Sequence, residues 1–162
     1  MKVERWMSSP VVSVTPETPA LAAYRTMAEH EFRRLPVVDD EGNLIGVVTD
    51  RDLRGILLPS GLPDPKGDYR AFTDDVTVGE VMTNDPLTVE PHTDVRQAAL
   101  LMHNHKISGL PVVEGRRCVG IITVEDLMEI LVGLLDERER APASGAPGLL
   151  EIAPPDRSRA VR

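Results

Sequence analysis

At 162 residues, 41% of them hydrophobic, the chain has material for one domain or two small ones. Its net charge of −8, with 26 Asp and Glu against 18 Lys and Arg, excludes a general affinity for nucleic-acid phosphates. A single cysteine, Cys118, excludes a disulfide framework, and with no signal peptide and no bilayer-length apolar run the expectation is a cytoplasmic protein without a membrane partner.

Val3 to Met7 reads as a short lead-in turn. Val11 to Val14 is a β-favouring run closed by Pro16. Thr18 is placed to cap a helix that Pro19 opens, and Leu21, Tyr24, Met27 and Ala28 supply its apolar face. Leu35 to Val38 and Leu44 to Val48 flank the polar turn Asp39-Asp40-Glu41-Gly42-Asn43, which predicts a β-hairpin. A second helix is expected from Asp50. Residues 59 to 75, rich in Pro, Gly and Asp, read as a surface linker.

From there the chain says nearly the same thing again. Met7, Pro16, Thr18, Ala23, Met27, His30, Leu35, Pro36, Val37 and Val38 recur about 75 positions later as Met82, Pro91, Thr93, Ala98, Met102, His105, Leu110, Pro111, Val112 and Val113. After one deletion in the turn, Gly46, Thr49, Asp52 and Leu53 recur as Gly120, Thr123, Asp126 and Leu127. Val78 to Met82 mirrors the lead-in, and Leu87 to Val89 the first strand. Thr93 repeats the helix cap, and Val95, Ala98, Ala99 and Met102 repeat the helix face. A hairpin follows over Leu110 to Val113 and Val119 to Ile122, then a helix from Val124.

The order strand, helix, hairpin, helix, taken twice, predicts an α+β class with a pseudo-two-fold axis. The repeats span residues 1–58 and 76–137, with a tail over 138–162 that is expected to be disordered, its Ala, Pro, Gly, Ser and Arg mixture having no periodicity from Ala141 on. A unit of about 50 residues buries too little surface alone, so the two copies should pack together with a ligand site in the cleft between them. In the last helix Leu127, Ile130, Leu131, Leu134 and Leu135 form a stripe that should be mostly core, with part left for a homodimer contact.

Gly46-Val47-Val48-Thr49-Asp50-Arg51-Asp52 and Gly120-Ile121-Ile122-Thr123-Val124-Glu125-Asp126 carry the chemistry. Each sets a hydroxyl and a carboxylate three residues apart where a strand runs into a helix. One reading is a helix cap. The other is a nucleoside phosphate site, because a helix start favours an anion and an Asp on its first turn can accept from ribose hydroxyls.

These strings resemble a CBS domain, and the tandem resembles a CBS pair, or Bateman module. Met-Ser-Ser-Pro (7 to 10), Leu-Pro-Val-Val-Asp (35 to 39) and Gly-Val-Val-Thr-Asp-Arg-Asp-Leu (46 to 53) carry the likeness in the first copy. In the second it rests on Val-Met-Thr-Asn-Asp-Pro (81 to 86), Leu-Pro-Val-Val-Glu (110 to 114) and Gly-Ile-Ile-Thr-Val-Glu-Asp-Leu (120 to 127). The resemblance implies an adenosine ligand, namely AMP, ADP or ATP, or alternatively S-adenosylmethionine or a cyclic dinucleotide. It implies riboses held by Thr49 with Asp52 and by Thr123 with Asp126, and adenine against Pro10, Val11 and Val12 or Pro86 and Leu87, with Pro36 and Pro111 as walls. Phosphates would fall to Arg33, Arg34 and Arg51 in the first copy and to Lys106 in the second. The chain also resembles the CBS part of acetoin-utilisation-type proteins, although the sequence after Ala141 is too short for their ACT domain.

His103 and His105 stand two apart on a helix and face different ways, so no metal pair is expected. No nucleophile has an identifiable base, so catalysis is not expected either. The reading is a stand-alone CBS pair, homodimeric, that controls an unknown partner protein through a ligand-dependent change of shape. The remaining alternative is a ligand-free interaction module.

Overall fold

The computed structural model describes residues 1–57 and 76–140; the linker expected at 59–75 and the tail beyond Arg140 lie outside the described residues. Helix α1 (Ala20–Glu29), strands β1 (Arg34–Val38) and β2 (Leu44–Thr49), and helix α2 (Asp50–Leu57) make the first repeat. A short strand β3 (Thr83–Asn84) opens the second, followed by α3 (Val95–His105), β4 (Gly109–Glu114), β5 (Arg117–Thr123) and α4 (Val124–Arg140). The two hairpins form as the alternation predicts. Arg34 pairs with Thr49 at one end of the first, and Gly109 with Thr123 at the same end of the second. In the first turn Asp39 Oδ1 accepts from the amides of Glu41 and Asn43 at 3.0 and 2.8 Å, while Gly42 takes the positive φ of 83° that closes the turn.

Three expectations need correction. The first strands shrink to single parallel bridges, Val14 to Val37 and Val89 to Val112. Prolines at 10 and 16, and at 86 and 91, bound each run and keep it short. Thr18 and Thr93 do not cap their helices. Their hydroxyls accept instead from the amides of Thr15 and Glu90, at 3.1 and 3.0 Å, and close the turn before the helix. The cap of α3 is Asp94, which accepts from the Arg96 amide at 2.9 Å, and α1 starts at Pro19 without a side-chain cap.

The third correction concerns α4. Ile130 is buried and Leu127 half-buried, but Leu131, Leu134 and Leu135 stay 49%, 47% and 52% exposed. Val124, Leu127 and Ile130 pack against the second core, while the rest of this 17-residue helix, about 25 Å long, continues beyond those contacts. On α1, Ala20, Ala23 and Met27 face the core, with Leu21 and Tyr24 at its edge and Ala28 exposed.

The copies are knitted together by exchange of their lead-ins, which the repeat pattern did not reveal. Two hydrophobic cores form, and each takes a valine from the other repeat. Val3, on a 3-10 turn (Val3–Arg5), is buried among Val95, Met102, Leu110 and Ile122. Val78, on the matching turn (Val78–Glu80), is buried among Ala23, Met27, Leu35 and Val48. Past these turns Ser8 bridges to Ile121, while β3 pairs antiparallel with Gly46 and Val47 of β2. A Cβ on Gly46 would stand 2.6 Å from Met82 Sδ, and one on Gly120 would stand 2.7 Å from Met7 Sδ. The repeated methionines and the repeated glycines therefore meet crosswise, each glycine leaving room for the other copy's methionine.

Candidate ligand site

The exchange sets the start of one repeat against the helix start of the other. A cavity of about 240 Å³ opens at this junction. The first repeat lines it with Ser8, Pro10, Val11, Val12, Glu31, Phe32, Arg33, Arg34 and Pro36, and the second with Ile121, Thr123, Glu125 and Asp126. Eight predicted site residues are thus brought together: Pro10, Val11, Val12, Arg33, Arg34, Pro36, Thr123 and Asp126. Their pairing across the repeats was not legible, because periodicity shows which residues recur and not which copy touches which.

Thr49, Asp52, Arg51, Pro86, Leu87, Lys106 and Pro111 do not line this cavity. Thr49 and Asp52 sit at the start of α2, the equivalent place in the first repeat. Pro111 is buried opposite Ile121 in the second hairpin, Pro86 is half-buried, and Leu87 is exposed. Lys106 ends α3 in the left-handed conformation, as Glu31 does just past α1. Arg51 is exposed, and its neighbour Arg54 is engaged with Asp50 at 3.2 Å on the outer face of α2.

Both Thr-x-x-Asp motifs fold as complete capping boxes. Thr123 donates its amide and its hydroxyl to Asp126 Oδ2 at 2.6 and 2.8 Å, and the Asp126 amide returns a bond to the Thr123 hydroxyl at 3.4 Å. Thr49 and Asp52 repeat this at 2.9, 2.6 and 3.3 Å. The capping reading is therefore correct as geometry, and it does not exhaust the carboxylate. Every side-chain bond that Asp126 accepts among the described residues falls on Oδ2. Oδ1 accepts none of these bonds, and Asp126 is one of the residues lining the cavity.

The electrostatics of the cavity are mixed. Arg33 and Arg34 supply positive charge, while Glu31, Glu125 and Asp126 supply negative charge. Arg34 is half-buried, and burial pulls its pKa below the ordinary arginine value against the opposing pull of Glu125, Asp50 and Asp52. It donates to the Gly109 carbonyl at 3.4 Å and to the Ser108 hydroxyl. Sequence reasoning missed Ser8, Glu31, Phe32, Ile121 and Glu125 as lining residues. Glu125 and Ile121 had a usable signal, since they lie within or beside the Thr-x-x-Asp string; Glu31 and Phe32 had none beyond preceding the arginines. Cys118 lies half-buried in β5, where burial pushes its thiol pKa up.

Duplicated halves, exchanged lead-ins and a cavity where the first repeat meets the helix start of the second define a paired-repeat module. The CBS domain family model matches residues 3–59 and 78–133, and the chain belongs to that family as a pair of CBS domains. A CBS domain-containing protein of Dictyostelium discoideum is 33% identical over 135 residues, which is 83% of this chain and 93% of that one. By contrast the chain spans only 22% of the L-aspartate semialdehyde sulfurtransferase of Methanocaldococcus jannaschii, at 29% identity.

Among solved structures, a putative acetoin utilization protein from Vibrio cholerae superposes with a TM-score of 0.71 at 32% identity, covering 87% of this chain and 97% of that one. The CBS domain pair of protein MJ0100, in complex with 5′-methylthioadenosine and S-adenosyl-L-methionine, gives a TM-score of 0.69 at 28% identity and covers 83% and 98% of the two chains. The plant protein CBSX2 of Arabidopsis thaliana, in complex with AMP, gives 0.68 at 27% identity, with coverage of 83% and 98%. Among the described residues no helix is long and apolar enough to cross a membrane, and no three His, Cys, Asp or Glu side chains gather to hold a metal ion.

Proposed function

We propose that this CBS pair binds an adenosine-type ligand between its repeats and signals occupancy to a partner protein through the relative placement of the two halves. The observation that carries this reading is the junction cavity, in which one repeat's first segment faces the other repeat's Thr-x-x-Asp motif. Adenine is assigned to the apolar wall of Pro10, Val11, Val12 and Pro36. Ribose is assigned to Asp126 Oδ1 and Thr123, and a 5′-phosphate to Arg33 and Arg34. Thr49, Asp52, Pro86, Leu87, Pro111, Arg51 and Lys106 belong by pseudo-symmetry to a counterpart position. Because ligand and both repeats meet at one junction, occupancy favours the arrangement of halves that contacts it best. The chain is read as a binding module and not as an enzyme.

The cavity volume lies just under the roughly 300 Å³ at which organic-ligand pockets begin. That suits one nucleoside and disfavours a cyclic dinucleotide. S-adenosylmethionine has an observation of its own in its favour, since Glu31 and Glu125 offer carboxylates to its sulfonium and ammonium groups. Thermal unfolding against AMP, ADP, ATP, S-adenosylmethionine and cyclic di-AMP separates these readings. The matching ligand at about a hundred times its Kd should raise Tm by roughly 5 to 10 °C. If no ligand moves the midpoint, the motifs are helix caps alone and the pair is a ligand-free interaction module.

The homodimer is also part of the proposal. Met128, Leu131, Val132, Leu134 and Leu135 on α4 are between 47% and 58% exposed, a run of apolar side chains suited to a second copy of the same helix. Sedimentation should show a dimer for the wild type and a monomer for the Leu131→Glu, Leu134→Glu double variant. A monomeric wild type removes this part of the proposal.

A further inference from the structure

The duplication is broken at one place close to its axis. Leu35 and Leu110 are equivalent, so Arg34 and Gly109 hold the same position in the two repeats. In the fold these two equivalent residues touch: a Cβ on Gly109 would stand 3.0 Å from both Cδ and Nε of Arg34. From there the guanidinium reaches into the second repeat to the Gly109 carbonyl and the Ser108 hydroxyl. Where equivalent residues meet at a two-fold axis, close packing has no room for two arginines. An arginine lying on a glycine does fit.

Arg34 nevertheless serves both sides of the axis. It lines the cavity that holds Thr123 and Asp126. Its present partners, Ser108 and Gly109, are the residues that stand in the second repeat where Arg33 and Arg34 stand in the first. Carboxylates of both motif regions act on its charge, Glu125 from the second repeat and Asp50 and Asp52 from the first. Its planar fork of donors suits a phosphate, and a half-buried fork has fewer water contacts to give up.

We propose that Arg34 is a single cation shared between the two nucleoside positions, so that a 5′-phosphate bound at one weakens the binding of a second phosphate at the other. The inference rests on the adenosine reading above. A phosphate in the cavity draws the guanidinium away from Ser108 and Gly109, whereas a phosphate in the counterpart position holds it there. One side chain cannot satisfy both, and linkage makes the penalty reciprocal. Lys106, in the place that Glu31 takes in the first repeat, leaves the counterpart a cation of its own, so its phosphate binding is weakened and not lost. A neutral nucleoside makes no demand on Arg34 and should show no such coupling.

The test is calorimetric titration of the full chain with AMP and with adenosine, in the wild type and in variants that disable one position. In Asp126→Ala the cavity is disabled and Arg34 is released to the counterpart. AMP should then bind there about tenfold more tightly than it does as the second ligand of the wild type. Adding Arg34→Ala to that variant should remove the gain, while adenosine titrations should not respond to Arg34 at all. Asp126→Asn, which keeps an oxygen for the helix cap, repeats the comparison if the alanine variant folds poorly. If the counterpart's AMP affinity in Asp126→Ala equals the wild type's second event, or ignores Arg34→Ala, the sharing is wrong while the adenosine reading stands. If neither AMP nor adenosine binds the wild type, the adenosine reading fails and takes the sharing with it.

Discussion

Asp126→Ala is expected to weaken adenosine-ligand binding in the junction cavity about 30- to 100-fold while lowering the stability of the free protein by only about 1 kcal/mol. The two effects separate because they sit on different oxygens. Oδ2 accepts from the amide and hydroxyl of Thr123, at 2.6 and 2.8 Å, and its loss is an ordinary helix-cap loss. Oδ1 is the atom proposed to accept from the ribose. Losing a charged acceptor there removes hydrogen bonds worth about 1.5–3 kcal/mol, which is the larger penalty. Asp126→Asn should recover most of the stability, because its carbonyl oxygen can take over the cap, but only part of the affinity. Unfolding midpoints of the free protein, set beside titrations with the best ligand of the panel, measure both. A variant that loses stability and keeps full affinity would leave Asp126 as a cap and nothing more.

What could be read from the sequence follows the range of the interactions involved. The helices and hairpins are set by local periodicity, and the Thr-x-x-Asp boxes by a spacing of three residues within one turn, so both were visible in the string. The helix caps were misplaced by one residue for a local reason: Thr18 and Thr93 prefer the turn behind them to the helix ahead. The cavity is non-local. Nothing in the repeat says whether Pro10 to Val12 faces Asp52 or Asp126, and only the exchange of lead-ins decides it. Met7 and Gly120 carried that information as a pair, being complementary in size, but the repeat aligns Met7 with Met82 and so hides its true neighbour. The exposure of Leu131, Leu134 and Leu135 was hidden for a similar reason. A helical stripe shows that a face is apolar, while the core it meets, which here ends at Ile130, decides how much of it is covered.

The same exchange predicts an asymmetric response to a mutation at the start of the chain. Val3→Ala should destabilise the protein by about 2 kcal/mol, the burial of two methyl groups plus a small cavity. Val3 is fully buried, and the turn that carries it is fixed by bonds from the Val3 amide to the Thr93 carbonyl at 3.0 Å and from the Val95 amide to the Met1 carbonyl at 3.0 Å. Its loss should therefore be felt in the second repeat, as faster amide hydrogen exchange over Leu110 to Val113, with the first hairpin left nearly as protected as before. Val78→Ala should do the reverse and loosen Leu35 to Val38. Equal loosening of both hairpins in either variant would mean that the two cores open only together, and the lead-ins would then be fasteners of one cooperative unit. A local response has a functional consequence. The lead-in that carries Val3 continues through the Ser8–Ile121 bridge into Pro10, Val11 and Val12, so a loosened Val3 also frees the wall assigned to adenine from the helix start assigned to ribose. Ligand binding should then weaken in Val3→Ala although no residue of the cavity has been changed, and saturating ligand should restore the lost protection in the second repeat.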